Sequence, residues 1–261
     1  MKVLTLNIAN PAPAKAERQL AWLAERDDDV IVLTETGAGP GSVALVDALA
    51  FAGYATSWER PPAEERGVLI ASRLEVTEAS PRLPYLPWRA RAVVLANSRI
   101  AVIGTYIPSR DASPTRTERK KRFMSELCGW LDVDTATYDR LVLGDFNVVD
   151  RRDYPRYAFF QEWEYSFFDV LTSLGMADGF RLMNPASREY SWVDRTGSGY
   201  RYDHTFVDRA FTSAVSVCSY LQETRHLQLS DHAAMVMDVD IPSDPPRRAV
   251  VRLMSQQPVL F

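Results

Sequence analysis

The sequence predicts an α/β protein in which two β-sheets pack together with helices outside. Short runs rich in Val, Ile and Leu recur along the chain, among them "DVIVLTE", "RAVVLANSRIAVIGTYIP" and "LVLGD", as strands covered on both faces require. Segments with helical apolar spacing alternate with them. No low-complexity linker interrupts the interior, so one layered domain is expected over residues 1–241, followed by an extended tail over 242–261 that opens with "PSDPPRR".

The elements follow in order. "KVLTLNI" alternates and reads as a strand, "KAERQLAWLAER" has helical spacing through Leu20 and Leu23, and "DVIVLTE" is the next strand. Ser42 is the expected cap of a helix over "VALVDALAFAG", stopped at Gly53. "GVLIASR" is a strand, and "RAVVLANSRIAVIGTYIP" is two strands turning near Asn97 and Ser98. "SPTRTERKKRFMSELCGWL" is a helix, its basic run expected to be a solvated face, and a strand then leads into Asp145. The second half repeats the habit, with a helix over "WEYSFFDVLTSLGM" and strands over "EYSWV", "YRYDHTFVD", "AVSVCSYL" and "DHAAMVMDVDI".

Composition narrows the function classes. With 46% hydrophobic and 25% charged residues, the 261-residue chain can bury a sizeable core. No apolar run approaches the ~20 residues of a membrane span, and the opening residues do not read as a signal peptide. No membrane association is expected, and a cytoplasmic location follows as the default. Cys128 and Cys218 are isolated, without the spacing of a zinc or redox site. The net charge of −4 argues against simple electrostatic adhesion to nucleic acid, although an acidic chain can still gather Arg on one face.

Polar groups recur where strands end. Asn7 ends "VLTLN", Glu35 ends "VIVLTE", Tyr106 ends "IAVIGTY", and Asp145 and Asn147 follow "LVLG". Asp203 opens "DHTFVD", and Asp231 with His232 opens the last strand. Each has a structural explanation taken singly: Asp and Asn are turn formers, Glu35 serves as a cap, and Tyr106 as core with a wet hydroxyl. In Asp145 and Asn147, positions two apart on a strand, alternation would turn both side chains to one side. Their joint recurrence favours a polar site at the rim of a sheet.

These motifs, in their order, resemble the endonuclease/exonuclease/phosphatase superfamily, and within it the exonuclease III type of abasic-site endonuclease. The resemblance spans nearly the whole chain, through "LTETG", "RGVLIASR", "GTYIPSR", "GDFN", "YSWVDR", "GYRYDHTFV" and "LSDHAAM". It implies a four-layer α/β/β/α sandwich, two packed mixed sheets flanked by helices, and a Mg2+-dependent phosphodiesterase, with Mn2+ as substitute. It assigns Glu35, Asn7 and Asp231 to the metal. Asp145 would activate the attacking water, Asn147 bind a phosphate oxygen or the nucleophile, and Tyr106 address the phosphate or the leaving oxygen. His232 would contact the phosphate with Asp203 fixing its ring. Arg91 matches a position that approaches backbone phosphate, against the reading of an exposed strand arginine. Trp192 and Tyr200 suit stacking or core packing, His204 a packed position on the opposite sheet face, and His226 a surface loop.

The departures from the family pattern gather on the substrate side. Ala9, Asn10 and Pro11 replace a polar and Gly-containing turn, Thr34 replaces a Gln, Gly37 replaces a Lys, and the loop after Trp192 is short. A DNA nuclease acting as a monomer is expected. A hydrolase of a small phosphorylated metabolite or lipid headgroup, using the same groups, is the alternative.

Overall fold

The computed structural model describes residues 1–80, 82–134, 137–153 and 157–241, so the expected tail over 242–261 lies outside the described residues. The first half contains strands β1 (Lys2–Asn7), β2 (Val30–Thr36), β3 (Ala55–Trp58), β4 (Gly67–Ser72), β5 (Val76–Glu78), β6 (Ala90–Leu95), β7 (Ile100–Tyr106) and β8 (Asp139–Asp145). Helices α1 (Pro13–Ala24), α2 (Pro40–Phe51) and α3 (Pro114–Asp134) lie between them. After helix α4 (Glu162–Ser173) come β9 (Met176–Asp178), α5 (Gly179–Met183), β10 (Trp192–Val193) and β11 (Gly199–Tyr200). The last elements are β12 (Asp203–Asp208), β13 (Val215–Leu221), α6 (Glu223–His226) and β14 (Ala234–Val239).

Twelve of the strands form two six-stranded mixed sheets, ordered β13-β14-β1-β2-β4-β3 and β5-β6-β7-β8-β12-β9, and β10 pairs with β11 in a separate two-stranded sheet. Strand alternation sorts their side chains into three apolar layers. Val3, Val30, Val32, Val68 and Ile70 of the first sheet meet Val93, Val102, Leu141 and Leu143 of the second in the central layer. The opposite set of the first sheet, Leu4, Leu6, Ile31 and Leu33, packs under α1 and α2 with Leu20, Leu23, Leu45 and Leu49. Ile103, Val142 and Phe206 of the second sheet pack beneath α3 and α4 against Phe123, Leu127 and Phe168. Strands covered on both faces have no polar face to show, which is why they read as continuous apolar runs.

Local differences from the sequence reading have local causes. Pro40 starts α2 after Gly39, as its fixed φ allows. Ser42 therefore lies inside the helix, where its Oγ accepts the Gly37 N–H at 2.9 Å instead of capping the N-terminus. α4 ends at Ser173 because Gly175 takes φ +84° and Met176 begins the edge strand β9. "EYSWV" reduces to the two residues of β10, paired with β11. His226 belongs to the short helix α6 and is exposed.

Gly144 shows how tightly the second sheet is drawn. β7 and β8 run parallel with Thr105 opposite Gly144. Gly144 has φ +140°, and a Cβ there would lie 2.0 Å from the Thr105 carbonyl oxygen. Gly144→Ala should therefore lower unfolding free energy by at least about 2–3 kcal/mol, through strain and backbone collision together. Denaturant titration of the purified variant checks this, and a loss below 1 kcal/mol would contradict the packing described.

Candidate active site

Topology brings the polar strand ends to one edge of the sandwich. β1 and β2 are parallel, as are β7 and β8, so Asn7, Glu35, Tyr106 and Asp145 all lie at or near carboxyl ends. β12 runs antiparallel to β8 with Asp203 opposite Asp145. β14 runs antiparallel to β1, so Asp231 and His232 enter at the same edge. A cleft of about 290 Å³ opens there, its lining including Glu35, Tyr106, Asp145, Asn147, Trp192, Asp231 and His232.

Side-chain hydrogen bonds cross from one sheet to the other at this edge. Asn7 Nδ2 donates to Asp145 Oδ2 at 2.9 Å, the Tyr106 hydroxyl donates to Glu35 Oε1 at 3.0 Å, and His232 Nδ1 lies 2.7 Å from Asp203 Oδ2. A carboxylate only accepts, so Nδ1 of His232 carries a proton. Nε2 has Asn7 Nδ2 at 3.5 Å, too long for a firm hydrogen bond.

Backbone strain aims two of these groups. Glu35 has φ +56° where the β2–β4 register shifts between Thr34 and Thr36, so a bulge turns its side chain out of plain alternation. Asn147 has φ +49° and lies beyond the strand end. Its N–H donates to Asp145 Oδ1 at 2.8 Å and its Nδ2 to the Ile107 carbonyl at 3.0 Å. Alternation is thus not what places Asn147 beside Asp145. An Asx turn does so, and the turn reading and the site reading of "GDFN" describe one structure.

Several residues that the motifs did not point to hold this arrangement. Ser191 Oγ accepts the N–H groups of Tyr202 and Asp203. Ser230 Oγ donates to the Asn7 carbonyl and accepts the His232 N–H. Thr224 Oγ1 donates to the His232 carbonyl. His204, on the opposite face of β12 from Asp203, has Nε2 3.1 Å from the Val148 carbonyl and packs against Phe146 and Phe168. Lys120 is a correction: it belongs to the basic run expected to be solvated, yet is buried with Nζ 2.6 Å from the Asn147 carbonyl. Its spacing from Phe123, Met124 and Leu127 on α3 is the signal that could have placed it inward.

Arg91 does not reach the cleft. It is buried on β6, donating to Ser57 Oγ at 3.1 Å and pairing with Glu78 and Glu59, because a buried guanidinium must find partners. Asn7 is turned toward Asp145: Oδ1 accepts the Ala9 N–H at 2.9 Å, and its amide nitrogen faces Asp145. Trp192 Nε1 donates to Asp231 Oδ2 at 3.0 Å, so these two lining residues support each other. Two departures on the substrate side prove to be one feature. A Cβ on Gly37 would lie 1.9 Å from Asn10 Oδ1, so the Asn10 side chain takes the room in which a longer residue at 37 would start.

The electrostatics follow from burial and crowding. Burial, then the charges of Asp203 and Glu35, push Asp145 above the usual carboxylate range, against the opposing pull of His232 and the Asn147 N–H. Burial works against a charge on His232, but the Asp203 carboxylate and its hydrogen bond outweigh it and raise the imidazole well above the ordinary histidine range. Burial, with Glu35 and Asp145, raises Tyr106 as well, so its hydroxyl remains a donor. Asp145, Asp203 and His232 offer ligand atoms within 4.8 Å of one another, and Asp203 Oδ1 is buried without a partner among the described residues. Glu35 and Asp231 line the same cleft and both cysteines lie elsewhere, so the carboxylate oxygens gathered here suit a divalent cation.

The endonuclease/exonuclease/phosphatase family model matches residues 4–232. The chain belongs to this family. Its members hydrolyse phosphoester bonds, and the chain is a hydrolase of that kind. No curated protein matches the chain by sequence. Among solved structures, a variant of the 3′ phosphatase NExo from Neisseria bound to product DNA hairpin is similar at 25% identity and TM-score 0.80, covering 92% of this chain and 100% of that one. The 3′–5′ exonuclease NExo from Neisseria meningitidis is similar at 26% identity and TM-score 0.78, with the same coverage. An AP endonuclease from Archaeoglobus fulgidus, at 22% identity and TM-score 0.79, shares the fold over 92% of this chain and 100% of its own.

The His232–Asp203 pair makes a spectroscopic prediction. The His232 imidazole should stay protonated through neutral pH, and Asp203→Asn should bring its titration down toward the ordinary value of ~6.5. Long-range proton–nitrogen NMR of the imidazoles distinguishes the cases; a His232 that already titrates near the ordinary value without the substitution would contradict the pairing.

Proposed function

We propose that the chain is a Mg2+-dependent DNA nuclease that hydrolyses a phosphodiester with a water activated by Asp145. The observation that carries this reading is the geometry at one cleft, where Asn7 and the Asn147 N–H hold the buried Asp145 carboxylate and Asp203 holds His232 through Nδ1. The Neisseria enzymes, one of them bound to a DNA hairpin, support nucleic acid as the substrate class.

Asp145 accepts the proton of the attacking water, a task that rewards a pKa near the working pH. Asn7 and the Asn147 N–H hold its two oxygens, fixing the carboxylate's direction. His232, oriented through Nδ1 by Asp203, presents Nε2–H to a nonbridging phosphate oxygen as charge builds there. Asn147 lies beside the same phosphate. Tyr106, kept protonated, would redirect its hydroxyl proton from Glu35 to the phosphate or the leaving oxygen. Glu35 and Asp231 would hold Mg2+, which when bound neutralises phosphate charge and polarises the phosphorus centre. Trp192 contacts a base or sugar from the cleft wall.

Chelator should abolish activity, and Mg2+ or Mn2+ should restore it; full activity in chelator excludes the metal assignment. Asp145→Asn should lower turnover by about 10² to 10⁴ while leaving the fold and substrate affinity in place. Turnover near that of the unsubstituted protein moves the base elsewhere. Both are read on single-stranded, duplex, nicked and abasic DNA beside a small phosphoester. No cleavage of any DNA, with rapid phosphate release from the small ester, replaces the nuclease reading with that of a metabolite phosphatase.

A further inference from the structure

Phe159 is 50% exposed and lines the catalytic cleft. An isolated exposed apolar side chain needs no explanation on an ordinary surface, but this one is held from behind. The Arg110 guanidinium lies over one face of its ring, 4.4 Å from the centroid, and Arg110 Nη2 donates to the Phe159 carbonyl at 2.7 Å. Arg110 is itself nearly inaccessible, with Trp163 flanking it at 5.7 Å. Its charge is met by buried Glu164, whose Oε2 accepts from Arg110 and whose Oε1 accepts from Lys120 at 2.7 Å. Lys120 then donates to the Asn147 carbonyl at 2.6 Å. An unbroken chain of charge-assisted hydrogen bonds therefore ties the Phe159 backbone to the turn that presents Asn147.

We propose that Phe159 is a stacking platform for a nucleobase next to the scissile phosphate, set in register with Asn147 through Arg110, Glu164 and Lys120. The proposal rests on the nucleic-acid reading of the same cleft. An aromatic face offers sequence-tolerant stacking to any base, and a guanidinium behind the ring supports that platform. A small phosphoester without a flat ring would leave Phe159 uncovered. The platform also gives a chain of net charge −4 a means of gripping a strand that does not rely on a basic surface.

The test uses oligonucleotides that carry a reduced abasic analogue at one position at a time around the cleavage site, with Phe159→Ala and Phe159→Trp. Because Phe159 is half exposed, Phe159→Ala should fold normally, which thermal melting verifies. On the fully base-bearing strand it should raise KM roughly five- to a hundredfold with kcat little changed. That penalty should vanish when the base is missing at one particular position, and Phe159→Trp should restore the original KM. An unchanged KM, or an equal rise whichever base is removed, overturns the platform while leaving the nuclease reading intact. If the unsubstituted protein cleaves no nucleic acid, the functional reading fails and the platform falls with it.

Discussion

The carboxylate of Asp145 lies 1% exposed at the seam between two sheets, and most of what surrounds it answers that burial. An ion removed from water must be compensated by hydrogen bonds and opposite charge, or it takes up a proton. Asn7 compensates from the first sheet, the Asn147 N–H from the adjacent turn, and the His232 imidazolium from the far side of the cleft. His232 in turn requires Asp203, and Asp203 requires Ser191 to fix its strand entry. The sandwich is thus pinned at its open edge by the same polar contacts that line the candidate site. Cutting one partner from such a network leaves a buried charge alone, which costs more than the intact pair contributes.

The layers could be read from the sequence because burial on both faces leaves an unmistakable pattern. Val30 to Leu33 and Leu141 to Leu143 are apolar on consecutive positions, which a half-solvated strand would not tolerate. The short edge strands β3, β5 and β9 carry too few residues for any periodicity to register. Asp145, Asp203 and His232 could be found because a motif places them at strand ends, and a strand end has few conformations. Lys120 and Glu164 escaped notice because each looks like one more charge on a helix, and only tertiary packing turns them inward. Arg91 shows the converse: Glu59 and Glu78, distant in sequence, pair with its guanidinium, and no local pattern announces them.

The substrate side follows a different rule from the catalytic side. Asn7, Glu35, Tyr106, Asp145 and Asp203 sit on strands whose register the core enforces, whereas the residues around them sit on loops, where one substitution permits another. Asn10 and Gly37 illustrate this. The left-handed conformations of Ala9 and Asn10 bring the Asn10 side chain onto the Gly37 backbone, and the Asn10 N–H bonds the Glu35 carbonyl at the bulge. A loop exchange of that kind leaves the Glu35 carboxylate where the bulge aims it. Folds of this architecture can therefore keep one hydrolytic centre and vary what it grips.

Strain and buried charge both concentrate within this edge. Glu35 and Asn147 adopt left-handed backbone, Asp203 Oδ1 has no partner among the described residues, and three carboxylates crowd around one imidazole. Each feature opposes stability, by about 1–3 kcal/mol for a strained residue or an unsatisfied buried group. The three apolar layers make the strained conformations persist, because a residue cannot relax when the strands on either side are fixed by packing. An edge built only for stability would place Leu or Val where Asn7, Asp145 and Asp203 stand. That these positions are polar, aligned across two sheets and held by serine and threonine contacts behind them, is the physical signature of a site prepared before its substrate arrives.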